Sequence, residues 1–196
     1  MLRYRYSLLL LPLLLPACSS FDAAGLARKA EAGDAAACYE YGHRMLTGRR
    51  VKRDHQQALV WLRKAADQGN IRAAAALGAC YAHGLGTAPD TPQARHWYGK
   101  AADAGHPNAE LALGTHYMQK APIDYKKAVT YLRYAAMHGS PDAAFLMALC
   151  YSQGLGVRKN DRLALGWLNN AAERGHKIAI NIILDVNQSL ENDKKS

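Results

Sequence analysis

From residue 34 onward, apolar and polar positions recur at helical spacing and again at a long fixed period. The stretch "DAAACYEYGHRMLTGRRVKRDHQQALVWLRKAADQG" from 34 returns as "NIRAAAALGACYAHGLGTAPDTPQARHWYGKAADAG" from 70. A third version, "HPNAELALGTHYMQKAPIDYKKAVTYLRYAAMHG", starts at 106, and a fourth, "SPDAAFLMALCYSQGLGVRKNDRLALGWLNNAAERG", at 140. The period is 36 residues, shortened by two in the third unit at its internal loop. In the first half of each unit the small or apolar columns are Ala37/Ala73/Ala109/Ala143, Tyr41/Leu77/Leu113/Met147, Gly42/Gly78/Gly114/Ala148 and Met45/Tyr81/Tyr117/Tyr151. Offsets of four, five and eight put these columns on one face of a helix. Mid-helix glycine costs about 1 kcal/mol against alanine, so its recurrence implies a neighbouring helix close enough to exclude a side chain.

A turn with paired glycines follows, "HGLGTAPD" in unit two and "QGLGVRKN" in unit four. Asp54 and Asp90 then read as N-caps, with Gln57 and Gln93 completing capping boxes. The second helix carries Ala58/Ala94/Ala128/Ala164, then the large knobs Trp61/Trp97/Tyr131/Trp167, then an Ala-Ala pair and a glycine. That glycine, Gly105 in unit two, reads as a left-handed helix end, and Pro107 and Pro141 start the next helix. His106 and His176 share the junction column with Asn70 and Ser140, which suggests a capping role. The units are thus 34–69, 70–105, 106–139 and 140–175. Residues 25–33 match half of a second helix, 177–192 match a closing first helix, and 193–196 are expected to fray, which makes ten helices in all.

The N-terminus differs in kind. "MLRYRYSLLLLPLLLPACSS" has a basic start, an apolar run too short to span a bilayer, and small residues around Cys18. "LPAC", residues 15–18, resembles the lipobox of bacterial lipoprotein signals, with Pro16 a departure at the second position before the cysteine. The resemblance implies cleavage after residue 17, acylation of Cys18, an acylated tether over 18–24 and, with Ser19 next, transfer to the outer membrane facing the periplasm. Removing 1–17 takes away Arg3 and Arg5 and no acid, so the net charge falls from +9 to +7. A basic balance favours an acidic partner or an anionic lipid surface, and an envelope address disfavours nucleic acid. Cys38, Cys80 and Cys150 are odd in number and widely spaced, and read as small buried hydrophobes.

The Ala-x-x-x-Leu-Gly-x-x-Tyr helix, the "GLG" turn, the capping Asp and Ala-Ala-x-x-Gly resemble the Sel-1-like repeat, a relative of the tetratricopeptide repeat. The likeness covers residues 25 to about 190. It implies an all-α fold, a right-handed α/α superhelical solenoid whose concave face binds a protein and which has no catalytic centre. Unit one departs at "GRRV" and unit three at "QKAPID", so those turns are expected to differ in shape. Small exported members of the family include immunity proteins that neutralise phospholipase effectors of type VI secretion, and this is the role the resemblance favours for an envelope lipoprotein. The alternative is an envelope scaffold for secretion or polysaccharide export.

Candidate chemistry is sparse. There is no Gly-x-Ser-x-Gly elbow, no His-Glu-x-x-His and no phosphate loop, and the histidines share no ligand spacing, so no catalytic, metal or cofactor site is expected. Tetratricopeptide-like geometry turns a set of first-helix positions to the groove. In units one and two these include Tyr39, His43, Leu46, Arg72 and His83; in units three and four, Leu111, Thr115, Met118, Gln119, Phe145, Leu149 and Gln153. An apolar groove with a polar rim suits a protein partner. A basic edge is the second candidate: Arg49, Arg50, Lys52 and Arg53, then Lys126 and Lys127, then Arg158 and Lys159. These would meet lipid phosphates or an acidic protein face.

Overall fold

The computed structural model describes residues 23–119 and 122–193, so Cys18, its signal, the tether through residue 22 and residues 194–196 lie outside the described part. Ala23 and Ala24, expected in the tether, already belong to the first helix. Among the described residues there are ten helices and no strand. They are α1 (Ala23–Glu31), α2 (Ala35–Thr47), α3 (His55–Asp67), α4 (Ile71–His83), α5 (Thr91–Asp103), α6 (Pro107–Gln119), α7 (Tyr125–Met137), α8 (Pro141–Gln153), α9 (Asp161–Glu173) and α10 (Lys177–Asp193). Each packs against its chain neighbours, giving an all-α solenoid of antiparallel pairs. Even-numbered helices also touch one another, α2 on α4 and α4 on α6, so they form the inner layer of the stack.

The small-residue column sets the spacing within each pair. A side-chain carbon built on Gly42 would lie 3.0 Å from Leu62 Cγ and 3.1 Å from the Ala58 carbonyl oxygen. On Gly114 it would lie 2.6 Å from Leu132 Cγ, and on Gly78 it would collide with the Tyr98 ring. Glycine here is what lets the outer helix cross its inner partner at backbone distance. Around that crossing Leu62, Leu77, Leu113, Leu132 and Met147 are fully buried, as are all three described cysteines. Each large side chain removed from water this way contributes about 1.5–3 kcal/mol. Burial also pushes the Cys80 thiol up to about 11, which keeps it protonated and unreactive at neutral pH. The aromatic knobs fill the space between helices unevenly. Trp97 is buried, while Trp61, Tyr131 and Trp167 are half-buried, with Lys64 lying 4.4 Å over the Trp61 ring.

The Ala-Ala-x-x-Gly signature has a backbone reason as well. Gly105 N–H donates to the Ala102 carbonyl (2.8 Å) and His106 N–H to the Ala101 carbonyl (3.0 Å), with Gly105 at φ 77°. That Schellman closure satisfies the last carbonyls of the helix, and it repeats at Gly33, Gly69, Gly139 and Gly175. The Met45/Tyr81/Tyr117/Tyr151 column serves the opposite turn. Its carbonyls accept the amides of Asp54, Asp90, Asp124 and Asn160, the N-caps of the outer helices.

Four further expectations need correction. The capping boxes are half made: Asp54 and Asp90 accept from the Gln57 and Gln93 amides, but their own amides are already bonded to Met45 and Tyr81. The "GRRV" turn is not reshaped. Arg50 takes φ 61° at the level where Gly86 and Gly156 take 78° and 70°, at a cost of about 1–2 kcal/mol for a residue with a side chain. At Gly86 and Gly156 a side chain would overlap the carbonyls of His55 and Tyr125, and glycine is needed for space too. His176 Nδ1 accepts the Ala179 amide at 3.2 Å and caps α10, whereas His106 Nδ1 accepts no amide of α6 and does not cap it. Finally, α10 runs through Asp193, one residue into the expected tail.

Replacing Gly114 by alanine raises intrinsic helix propensity yet is expected to destabilise the protein by about 1–3 kcal/mol, because Leu132 must give way. Urea denaturation of the variant reads this directly. A midpoint equal to or above that of the parent would show that the crossing has room to spare.

Candidate functional site: the groove along the inner helices

Three clefts open on the inner layer. The first, of about 410 Å³, is lined by Tyr39, His43, Arg72, Ala75, Ala79, Tyr98, His106 and Asn108. The second, of about 430 Å³, is lined by His83, Arg95, Tyr98, Thr115, His116 and Gln119, among others. Tyr98 lines both, so the two clefts flank its ring and together form a trough. It stands in the column that holds Leu62, Leu132 and Leu168 in the other outer helices. Opposite it lie Ala75, Gly78, Ala79 and Ala82, side chains too small to cover the ring. An outer-helix residue thereby reaches through to the inner wall. Burial raises the Tyr98 phenol above its ordinary value, so its hydroxyl stays protonated.

The trough is cationic and imidazole-rich: Arg72 and Arg95 are exposed, and His43, His83, His106 and His116 stand around them. Burial lowers the His106 imidazole below its ordinary 6.5; its own backbone hydrogen bond opposes this, Arg72 adds to it, and Glu110 opposes it. Glu110 is itself unusual at 3% exposed, in a column that elsewhere holds Cys38, Ala74 and Ala144. Its carboxylate meets His138 Nδ1 at 2.8 Å, which ties α6 to the far end of α7. The third cleft, of about 340 Å³, is apolar. Phe145, Ala148, Leu149, Leu165, Leu168 and Ile182 line it, and the Phe145 ring stacks on His176 at 4.4 Å.

The expected groove residues divide accordingly. Tyr39, His43 and Arg72 meet in the first cleft, His83, Thr115 and Gln119 in the second, and Phe145 and Leu149 in the third. Leu46, Leu111 and Met118 line none of the three and lean half-buried on the core, and Gln153 is exposed and lines none of them either. Thr115 turns its hydroxyl back onto the Leu111 carbonyl at 2.8 Å. Tyr98, Arg95, His106 and His116 were not expected. The signal for Tyr98 is present in the sequence, as a tyrosine in a leucine column facing a run of glycine and alanine. Of the basic residues, Arg49, Arg50, Lys52, Arg53, Arg158 and Lys159 sit in turns, whereas Lys126 and Lys127 lie in the first turn of α7. Arg53 donates to the Thr47 carbonyl (3.1 Å) and Lys127 pairs with Asp124 (3.5 Å). Among the described residues, no three His, Cys, Asp or Glu side chains gather to hold a metal, and no helix is long and apolar enough to cross a membrane.

The model of the Sel1 repeat matches four times, at residues 35–70, 71–106, 107–140 and 141–176. No curated protein matches the chain. Among solved structures, the chain is 35% identical to c5321, described as a protective antigen of uropathogenic Escherichia coli with an SLR fold, at a TM-score of 0.80 over 83% of this chain. A Sel1 repeat protein from Oxalobacter formigenes follows at 28% identity and a TM-score of 0.74 over 84%. The chain spans 35% and 48% of the lengths of these two proteins. Cysteine rich protein B of Helicobacter pylori shares the fold at 21% identity and a TM-score of 0.54, over 67% of this chain and 96% of its own.

Two stability measurements test these electrostatics. Burial disfavours the charged His106 imidazole in the folded state, so the unfolded chain binds more protons as the pH falls through 6.5. Stability should therefore drop from pH 6.5 towards the lowered value, and the His106→Gln variant should drop less. Equal slopes would remove His106 from the account. For the buried pair, His138→Ala strands the Glu110 carboxylate and should cost about 2 kcal/mol. Adding Glu110→Ala, the residue units two and four carry, should recover most of it; additive losses would contradict the coupling.

Proposed function

The chain belongs to the Sel1 repeat family, and on that footing we propose that it binds a protein partner in the trough centred on Tyr98, held at a membrane by acyl groups on Cys18. The Sel1 fold serves protein–protein interaction, and the trough supplies what such an interface needs. Inner helices spaced about 8–10 Å apart and about 20 Å tall present a wall that suits a standard interface of about 800 Å² per partner. Its centre is an aromatic ring on an alanine floor, the kind of anchor that carries most binding energy. Its rim is arginine and histidine, which selects a partner presenting carboxylates. The observation that carries the reading is the Tyr98 trough: a cationic cleft that the chain's own side chains leave open.

The finer reading is an immunity lipoprotein. Cys18, acylated with palmitate among its chains, anchors the solenoid to the outer membrane facing the periplasm. There the trough captures a phospholipase effector delivered by type VI secretion and blocks it by covering acidic surface near its active site. The test is whether a phospholipase gene adjoins this one and, where it does, co-expression of the two with the phospholipase directed to the periplasm. A neighbourhood without such a gene counts against immunity. Growth should be restored by the parent and lost with Arg72→Glu plus Arg95→Glu, at unchanged helicity and with affinity down by more than tenfold. Continued killing in the presence of well-expressed parent would reject immunity. Recovery of secretion or polysaccharide-export components in its place, sensitive to the same substitutions, would favour a scaffold. Mass spectrometry of the mature N-terminus tests Cys18 separately.

A further inference from the structure

Antiparallel pairing sorts the turns of a solenoid onto two edges, and in this chain the two edges differ in charge. Every inner-to-outer turn lies on one edge and every outer-to-inner turn on the other. The first edge carries Arg49, Lys52, Lys126, Arg158 and Arg162, all exposed and without an ion partner among the described residues. The acids of that edge are chiefly caps: Asp54, Asp90 and Asp124 each accept an amide of the helix that they begin. At the same depth the opposite edge carries the exposed acids Glu31, Asp34, Asp67, Asp103, Asp142 and Glu173, against Arg72, Arg174 and Lys177. The unit-two turn, Gly84–Asp90, is the one basic-free member of the first edge, and its tip is small and neutral: Thr87, Ala88 and Pro89.

The topology adds an independent constraint. The α1–α2 turn belongs to the acidic edge, so the start of α1 at Ala23 points to the basic one. Cys18 precedes Ala23 by five residues, a reach of at most about 18 Å. On the lipoprotein reading given above, on which this step rests, the anchor therefore leaves the solenoid on the basic edge, beside Arg49 and Lys52. We propose that this edge is a second interaction surface, which lies against the anionic phosphates of a lipid bilayer and turns the acidic edge away from it. Attraction to headgroups falls off within a Debye length, about 8–10 Å, so only an edge held this close contributes. The solenoid is then oriented as well as tethered, with the trough side-on to the membrane.

The test uses the mature chain from residue 18 with Cys18→Ser, which has the whole described solenoid and no acyl group. It is mixed with vesicles of phosphatidylcholine alone and of phosphatidylcholine with an equal part of phosphatidylglycerol. Co-sedimentation with the mixed vesicles only, lost at high salt, is the expected result. Arg49→Gln with Lys52→Gln, Lys126→Gln and Arg158→Gln should lower the partition coefficient about fivefold per charge removed. Arg174→Gln with Lys177→Gln, on the other edge, should change it less than about twofold. Equal binding to both vesicles, or equal losses per charge in the two variants, would overturn the proposal. So would displacement by inorganic phosphate beyond that by chloride at equal ionic strength, which would mark a single-anion site. An unmodified Cys18 in the natural protein would remove the tether while leaving this measurement intact, so the two failures are distinguishable.

Discussion

The close crossing of each inner helix with its outer partner is the constraint on which everything else in this protein depends. Two helices approach to backbone distance only where one of them lacks a side chain, and Gly42, Gly78 and Gly114 supply that gap. Unit four uses Ala148 at the same level, still nearly buried at 6% exposed. The helix pays about 1 kcal/mol in propensity at each glycine, and the burial of Leu62 or Leu132 against the bare backbone more than offsets it. At the corresponding level of α10 stands Leu184, 53% exposed. A leucine there keeps any helix from approaching α10 as α9 approaches α8.

Because the core is made between the two layers, the inner wall is not needed to close it. In a bundle, the face of α4 that bears Ala75, Ala79 and Ala82 would have to be covered by another helix. In this stack it is left to Tyr98, which fills part of the space and leaves clefts on either side. The same division explains why the buried charge sits where it does. Glu110 occupies an alanine level next to a junction, and it is tolerated because His138, at the far end of α7, reaches it from outside the core.

Repetition made the fold legible. Four aligned units expose helix starts, helix ends and the close-contact column without any outside comparison, and each has a backbone reason that acts locally, within a few residues. The Schellman ends at Gly105 and its equivalents are of this kind. What escaped was non-local or depended on a single side chain. The capping boxes failed because the Met45 and Tyr81 carbonyls, nine residues upstream of the caps, compete for the same amides. Arg50 kept a glycine conformation because the cost of one left-handed residue is smaller than that of rebuilding a turn whose ends are fixed by two helices. Leu46, Leu111 and Met118 were assigned to the groove by position. Whether such a residue faces a cleft or the core turns on a rotation of a few tens of degrees, which periodicity does not resolve. Tyr98 was missed for the converse reason, since helix position assigned it to the outer layer and only the emptiness opposite it brings the ring through.

These separations give the solenoid three kinds of position with little overlap. Columns between the layers hold the core, the inner face shapes the trough, and the turn tips carry net charge. A stack whose units contact only their neighbours lets each kind vary without disturbing the others. Unit two is the clearest case. It has an unaltered helix pair and an unaltered Gly84–Gly86 turn, yet it has lost every basic residue from that turn and gained Tyr98 in its outer helix. The charge of the edge and the shape of the trough have therefore diverged from unit to unit on a crossing that keeps glycine or alanine at its closest level. A residue is best read for function where it departs from its own column, and in this chain the departures fall at Glu110, Tyr98 and the turns.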